Sequence, residues 1–182
     1  MTKRDIITLP DPMLRKPSAP VERVDDELRT LMDDMLEIMY GAPGVGLAAV
    51  QLAIPRRVFV LDVNYRRAGE EGEEGGEKPR APICMVNPEI IMRSEALHVH
   101  EEGCLSIPEF YAEIERPAKI IVRYIDREGI QREMACENML ATVVQHEVDH
   151  LNGKLFIDHL SRLKRDRVIK KFVKAAKGEV VA

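Results

Sequence analysis

Long apolar segments are absent from this 182-residue sequence, and no run approaches the roughly 20 residues that a membrane-spanning helix needs. The first twelve residues also lack the apolar stretch of a secretory signal. Cysteine is scarce: Cys84, Cys104 and Cys136 are far apart and odd in number, which fits free thiols in a reducing compartment. We therefore expect a cytoplasmic protein with no membrane partner.

An excess of positive charge is also missing. The formal net charge is −4, so we expect no sequence-specific binding of nucleic acid. Hydrophobic residues make up 45% of the chain and charged residues 32%, which is typical of soluble globular proteins and argues against a disordered chain. The length suffices for a sizeable core, and we expect residues 1–182 to form a single domain.

The spacing of apolar residues predicts an α+β fold. A helical period predicts a helix from Asp25 or Asp26 to about Tyr40, and two more at about 138–152 and 161–177. Alternating patterns predict strands at 57–63, 83–92 (broken by a bend at Asn87-Pro88), 95–100, 110–115, 119–125 and 130–136. We expect antiparallel β-sheets packed around a central helix, 138–152, with further helices at the N-terminal and C-terminal ends. Residues 65–80 are charged and glycine-rich and predict a solvated loop of unassigned role.

The predicted C-terminal helix, 161–177, is amphipathic. Its polar side is rich in lysine and arginine. Its apolar side carries Leu163, Ile169, Phe172, Val173 and Ala176. A basic run of this kind is usually a solvated face, and the alternative is a docking surface for an anionic partner.

The stretch His146-Glu147-Val148-Asp149-His150 contains His-Glu-x-x-His. In a helix, the two histidines are one turn apart and face the same side, so both imidazoles can bind one metal ion. Glu147 borders that face and can reach a water on the metal rather than the metal itself. The other interpretation is a surface helix with two solvated histidines, and a third ligand would decide between them.

A third ligand is hard to find downstream of this helix. Proteases with the same motif take one from there, but Phe156 occupies the position where a third histidine would fall. Asp158 and His159 are nearer candidates at the start of a predicted loop, and Glu179 lies close to the terminus.

Upstream, Cys104 is a better candidate, because it lies in a predicted constrained turn between strands. A metal ion would lower the pKa of its thiol so that it binds as thiolate. Cys104, His146 and His150 would leave one coordination position open, as catalytic metal sites do. This donor set suits zinc, iron(II), cobalt or nickel and does not choose among them.

Residues 44–51, Gly-Val-Gly-Leu-Ala-Ala-Val-Gln, form another distinctive segment. The glycine patterns of phosphate-binding loops are absent. The two glycines leave a backbone that another chain can approach closely, and Gln51 adds an amide that can donate hydrogen bonds. A plain loop with a glycine bulge fits the local sequence equally well.

Three segments together resemble the signature motifs of the peptide deformylase family: residues 44–51, Glu102-Gly103-Cys104-Leu105-Ser106-Ile107-Pro108, and Gln145-His146-Glu147-Val148-Asp149-His150. They occur in that family's order and at compatible separations, and the resemblance covers nearly the whole chain. It implies removal of the N-formyl group from the initiator methionine of newly made polypeptides.

The resemblance also implies the roles of individual residues. Cys104, His146 and His150 match the metal ligands, and Glu147 matches the general base. The metal lowers the pKa of its water, and Glu147 takes the proton as hydroxide attacks the formyl carbon. Glu147 then protonates the leaving amine, and formate departs. The metal, the Leu105 backbone N–H and the Gln51 amide would stabilise the oxyanion.

The methionine pocket and the partners follow from the same resemblance. An extended peptide would lie along the glycines at 44 and 46. The residues expected to line the substrate site are Val45, Gly46, Gly103, Met139, Thr142 and Val143. Family members typically hold iron(II) in the cell, and zinc, nickel or cobalt can replace it in a purified sample. Nascent formylated polypeptides are the expected partners, and the ribosome is the expected anionic partner if the basic helix docks.

One departure from the family pattern concerns Tyr111, where many members carry an arginine. It removes a cation near the expected groove, which affects preferences beyond methionine. Two other functions have to be weighed. A general metallopeptidase is disfavoured by the failed downstream search for a ligand, and a non-catalytic metal-binding protein would have no need of Glu147 as a base.

Overall fold

The computed structural model describes residues 5–42, 44–64 and 79–178. Most of the loop predicted at 65–80 lies outside these residues, as does Glu179. The described residues form helices and strands in the order α1 (Asp26–Gly41), β1 (Gly46–Ala48), β2 (Val58–Leu61), β3 (Ile83–Arg93), β4 (Leu97–Cys104), β5 (Ile107–Pro117), β6 (Lys119–Ile125), β7 (Gln131–Glu137), α2 (Asn138–Leu151) and α3 (Arg162–Ala176). None of these helices is both long enough and apolar enough to span a membrane.

The strands form two antiparallel sheets. A five-stranded sheet has the order β1-β2-β3-β6-β7, and β4 and β5 form a separate two-stranded sheet. Because β4 and β5 lie between β3 and β6 in sequence, this hairpin is an insertion between two neighbouring strands of the larger sheet. The α+β fold with antiparallel sheets, predicted from the sequence, is confirmed.

Helices cover both faces of the five-stranded sheet. Alternate side chains of β2 point to opposite faces. Val58 and Val60 pack in one cluster with the buried face of α1, and Phe59 and Leu61 pack in another with α2. The side chain of Asp25 caps α1 by accepting a hydrogen bond from the Leu28 N–H at 3.0 Å. Helix α2 is therefore central, as the sequence predicted.

A third cluster joins the small sheet to the C-terminal part of the chain. It contains Ile107 and Ile114 of β5, the 3₁₀ turn at Phe156–His159 and Val168 of α3. Helix α3 reaches this cluster through Val168, Ile169 and Phe172. The prediction for its apolar side was wrong at Leu163, which is 64% exposed, and at Ala176, which is also exposed, because only the middle of the helix touches the body.

The predicted strand limits needed correction around the hairpin. Strand β4 runs through Cys104 and β5 begins at Ile107, so the predicted turn is reduced to two residues, Leu105 and Ser106. Strand β3 is continuous, and the bend expected at Asn87-Pro88 is a shift of register against β6. Asn87 makes up for the disturbed pairing, since its side chain binds both the N–H and the carbonyl of Val21 at 2.8 Å.

Candidate metal centre and active site

The centre of the site lies on α2, most of which is buried. His146 and His150 are one turn apart, and their ring centroids are separated by 5.0 Å. Gly153 ends this segment with a φ of +72°, and an added Cβ there would meet the backbone carbonyl oxygen of Arg15. Gly153, which was predicted to end the helix, thus also lets the backbone of Arg15 pack against the end of α2.

Cys104 completes a group of three metal-ligating side chains. One ligand atom each from Cys104, His146 and His150 lie within 4.8 Å of one another, and the Cys104 Sγ is 3.3 Å from the Nε2 of His150. This is the only group of three or more such residues found within the described ranges. Both histidines are buried and Cys104 is half-buried, so the group is accessible only from the side of Cys104.

The donor set fits a divalent transition metal. One thiolate and two imidazoles are a common ligand combination that leaves positions open for water or substrate. Asp158 and His159, the downstream candidates, are not part of the group. Asp158 pairs with Arg15, and the His159 ring binds the carboxylate of Asp149 at 2.9 Å.

A carboxylate not singled out from the sequence orients His146. The Nδ1 of His146 donates to Glu102 Oε2 at 2.8 Å, which leaves Nε2 to face the other ligands. Burial alone would raise the pKa of Glu102, but hydrogen bonds from His146 and Arg116 lower it to about 2. Glu102 is therefore ionised at neutral pH. The signal in the sequence was its spacing, because Glu102 and Cys104 are two positions apart and share one face of a strand.

Arg116 links Glu102 to α2. Its guanidinium donates to both oxygens of Glu102 and, at 2.8 Å, to Asp149. Burial would raise the pKa of Asp149, but hydrogen bonds and charge from His159 and Arg116 lower it to about 2. This pairing across β4, β5 and α2 could not be read from a sequence that does not give the register of the hairpin.

Glu147 lies beside the ligands with one oxygen unused. It is 3% exposed, and its Oε2 is buried without a hydrogen-bond partner among the described residues. Burial raises the pKa of the Glu147 carboxyl to about 7, although the charge of His146 acts in the opposite direction and lowers it. A carboxyl with this pKa can both accept and return a proton near neutral pH.

Gln51 also lies beside this group, next to Cys104. The N–H of Ala48 donates to its Oε1 at 2.9 Å, which orients the amide. The Nε2 then donates to Ser106 Oγ at 3.0 Å and lies 3.6 Å from the Sγ of Cys104. The amide is thus a fixed donor at the edge of the candidate metal centre.

A cavity of about 750 Å³ opens onto these residues. Its walls include the predicted site residues Val45, Gly46, Gln51, Gly103, Cys104, Leu105, Met139, Thr142, Val143, His146 and Glu147. His150 does not line the cavity and is 1% exposed behind it. The structure therefore brings every residue predicted for the site into one place, with His150 as the innermost.

Gly44 and Gly46 allow neighbouring side chains to pack closely against the backbone of the cavity wall. A Cβ on Gly46 would collide with the Glu147 carboxylate, and one on Gly44 would come within 2.7 Å of Leu105 Cδ1. Both glycines therefore let the Glu147 and Leu105 side chains pack closely against this segment, and the approach of another chain to residues 44–51 stays a prediction. Tyr111 lies over Gly103, where an added Cβ would meet its ring at 2.6 Å.

Comparisons with known proteins agree on one family. The family model for polypeptide deformylase matches residues 3–166. A peptide deformylase of Rhizobium meliloti is 55% identical over 177 residues, 97% of this chain and 96% of the relative. One from Methylocella silvestris is 59% identical, covering 97% of this chain and 87% of its own. The crystal structure of peptide deformylase from Ehrlichia chaffeensis matches with a TM-score of 0.84 at 40% identity, covering 96% and 97% of the two chains.

Proposed function

Since this chain belongs to the polypeptide deformylase family and is a hydrolase, we propose that it removes the N-formyl group from the N-terminal formylmethionine of newly made polypeptides and releases formate. The observation that carries this proposal is the buried Glu147 carboxylate, with one unpartnered oxygen, beside the Cys104, His146 and His150 group. A peptide-binding protein without catalysis has no need of such a group.

A single divalent ion would be held by Cys104, His146 and His150, which offer one sulfur and two nitrogen donors. When bound, it supplies Lewis-acid chemistry that makes water a nucleophile near neutral pH. We propose iron(II) in the cell, with zinc, nickel or cobalt as replacements in purified protein, because all of them accept these donors.

Glu147 moves the proton in the reaction that we propose. Its carboxylate accepts a proton from the attacking water and then returns it to the nitrogen of the methionine as the bond to the formyl carbon breaks. The overall change consumes one water and yields formate and a free amine. A carboxyl with a pKa of about 7 suits both steps, because neither transfer is far uphill.

Gln51 and the Leu105 backbone N–H would stabilise the negative oxygen that forms on the formyl group. The amide of Gln51 is already oriented by Ala48 and Ser106, so it needs no reorganisation when charge develops. Leu105 follows Cys104 directly and lines the cavity, which places its backbone at the same edge.

The methionine side chain would occupy the apolar part of the cavity. Val45, Val143 and Met139 provide its walls, and Thr142 and the backbone of Gly46 border it. The following residues of the substrate would extend along the Gly44–Gly46 segment and Gly103 and pair with their backbone. Tyr111, at 52% exposure, would contact them at the rim.

We also propose that the enzyme acts in the cytoplasm on nascent chains, with α3 as a contact to the ribosome. The polar face of α3 carries exposed Lys170, Lys171 and Lys174, which suit an anionic surface. Charge reversal of these three to glutamate should reduce co-sedimentation with ribosomes at low salt and leave hydrolysis of a short peptide unchanged. Equal co-sedimentation would leave α3 with a structural role only.

The deformylase proposal is tested with protein prepared without oxygen, since an iron thiolate exposed to solvent oxidises readily. Formate release is measured from formyl-Met-Ala-Ser, with metal content determined on the same sample. Glu147→Gln should retain the metal and lose activity by at least about a hundredfold. Substantial activity in this variant would remove Glu147 as the base.

A general peptidase is distinguished with the matched unformylated peptide. Met-Ala-Ser should not be cleaved under conditions that release formate from formyl-Met-Ala-Ser. Cleavage of peptide bonds in both substrates would favour the peptidase instead.

A further inference from the structure

His98 and His100 lie on β4, outside the chemistry proposed above. They are two positions apart, so their side chains project from the same face of the strand. Their rings are stacked, with centroids 6.1 Å apart and planes at 25°. His98 is exposed and His100 is half-buried, and neither side chain has a hydrogen bond or ion pair with another described residue.

The two rings lie close to the separation that a shared metal ion requires. With metal–nitrogen bonds of about 2.1 Å, two imidazoles on one ion have centroids roughly 4.5–5.5 Å apart. The centroids of His146 and His150 are 5.0 Å apart. A shared ion requires a change of side-chain rotamer that brings the centroids of His98 and His100 roughly 1 Å closer and turns the stacked rings so that one nitrogen of each faces the ion.

Strand β4 leads from this pair to the candidate metal centre. His98, His100, Glu102 and Cys104 follow one another at alternate positions along the strand. His100 lines the cavity that opens onto Cys104 and Glu147. The histidine pair therefore lies where the cavity meets solvent.

The charges around the pair do not oppose a cation. Arg116 is opposite His98 in the β4–β5 register, but its guanidinium is 5% exposed and paired with Glu102 and Asp149. Glu101 and Glu113, which are opposite each other in the same hairpin, are exposed and have no ion pair with any described residue. They project from the face opposite the histidines, as Val99 does, and add only a long-range negative potential to this end of the small sheet.

We propose that His98 and His100 form a second, peripheral site for a divalent transition-metal ion such as Ni²⁺, Zn²⁺ or Cu²⁺. Imidazole nitrogen suits all three ions, and water completes the coordination. Two imidazoles on one rigid strand bind an ion more tightly than either alone, because the second is held at a high effective concentration. The site goes beyond the deformylase proposal and does not depend on it.

The test uses the full-length protein with nickel bound at the Cys104 group and excess metal removed. This protein is titrated with Cu²⁺–iminodiacetate, in which the copper ion keeps coordination positions open for two imidazoles. Binding is followed by calorimetry. One equivalent should bind to the unmodified protein. His98→Gln and His100→Gln should each weaken this binding by about tenfold or more.

Val99→Gln is the matched control. Val99 lies between the two histidines, points to the opposite face and is 50% exposed, so the variant should bind the copper complex as the unmodified protein does. Failure of the unmodified protein to bind, or equal affinity in either histidine variant, would overturn the proposed site. Formate release from formyl-Met-Ala-Ser is measured separately. That measurement alone tests the deformylase proposal, whatever the result of the copper titration.

Discussion

Gln51 illustrates how single side chains prepare this site before a substrate arrives. Its oxygen is occupied by the Ala48 N–H, so the amide cannot flip without losing that hydrogen bond and the one to Ser106. The same holds for His146, whose Nδ1 is held by Glu102. Preorganised donors of this kind lower a reaction barrier because they need no rearrangement as charge develops.

Gly46 is the residue where the smallest change should have the largest effect. In Gly46→Ala the new methyl would displace the Glu147 carboxylate, and a shift of about 1 Å can cost about a hundredfold in rate. We expect kcat/KM for formyl-Met-Ala-Ser to fall by that order while the circular dichroism spectrum is unchanged. Gly41→Ala is the control, since a Cβ there meets nothing within 4 Å. Comparable activity in both variants would contradict this account of Gly46.

Cys84 and Cys136 should resist alkylation near neutral pH. Burial raises the pKa of both thiols to about 11, so at pH 8 only about one molecule in a thousand carries the reactive thiolate. Labelling by iodoacetamide, located by peptide mass spectrometry, should be slow at pH 8 and accelerate as the pH rises toward 11. The same protein in urea provides the control, and equal labelling rates with and without urea at pH 8 would refute the shift.

At the scale of elements, the C-terminal end of α2 depends on Arg57, which precedes β2. Its guanidinium donates to the Leu151 carbonyl at 3.3 Å and to Asn152 Oδ1 at 2.9 Å. A cation at this end satisfies free carbonyls and interacts favourably with the helix dipole. Arg57 therefore joins the metal-binding helix to the five-stranded sheet.

Arg57→Met should lower the free energy of unfolding by about 1–3 kcal/mol, since it removes two charged hydrogen bonds, one of them to the partly buried Leu151 carbonyl. Urea unfolding measures the change. Arg93→Met is matched in chemistry, because Arg93 is exposed at the end of β3 and its side chain has no hydrogen bond or ion pair with another described residue. Equal stability of the two variants would mean that Arg57 does not support the helix end.

The elements were predicted well where a periodic pattern acts locally, as in α1, α2 and the β6–β7 hairpin. The limits of β4 and β5 were predicted less well, because Gly103, Ser106 and Pro108 suggest a turn while pairing between strands extends to Cys104 and Ile107. The carboxylates behind the site were missed for the same reason. Glu102 and Asp149 are joined by Arg116, and that contact depends on the tertiary register.

On the scale of the whole molecule, the described core consists of three apolar clusters, one of which contains the buried face of α2. One lies between the helix and the large sheet, one lies under α1, and one joins the small sheet to α3. The cavity opens where these regions adjoin, and its residues come from the β1 segment, the small sheet and α2. Sequence motifs predicted which residues belong together, whereas the shape of the cavity follows from how the two sheets are oriented.

The insertion of the β4–β5 hairpin has a consequence for the folding of the chain. Cys104 is on the small sheet and the two histidines are on a helix that packs against the large one, so a bound ion would act as a cross-link between the two. It would close a loop between residues 104 and 146, which are 42 positions apart, and restrict the unfolded chain much as a disulfide does. The bound ion would then stabilise the folded protein in addition to its proposed part in the reaction.

Removal of the ion by a chelator should therefore lower the melting temperature by several degrees, because binding energy at such a site adds to folding energy. Scanning calorimetry of the loaded and stripped protein measures the shift. Cys104→Ser, which weakens one end of the link, should melt near the stripped protein whether or not metal is added. Identical melting of loaded and stripped protein would show that the two sheets are held together without the ion.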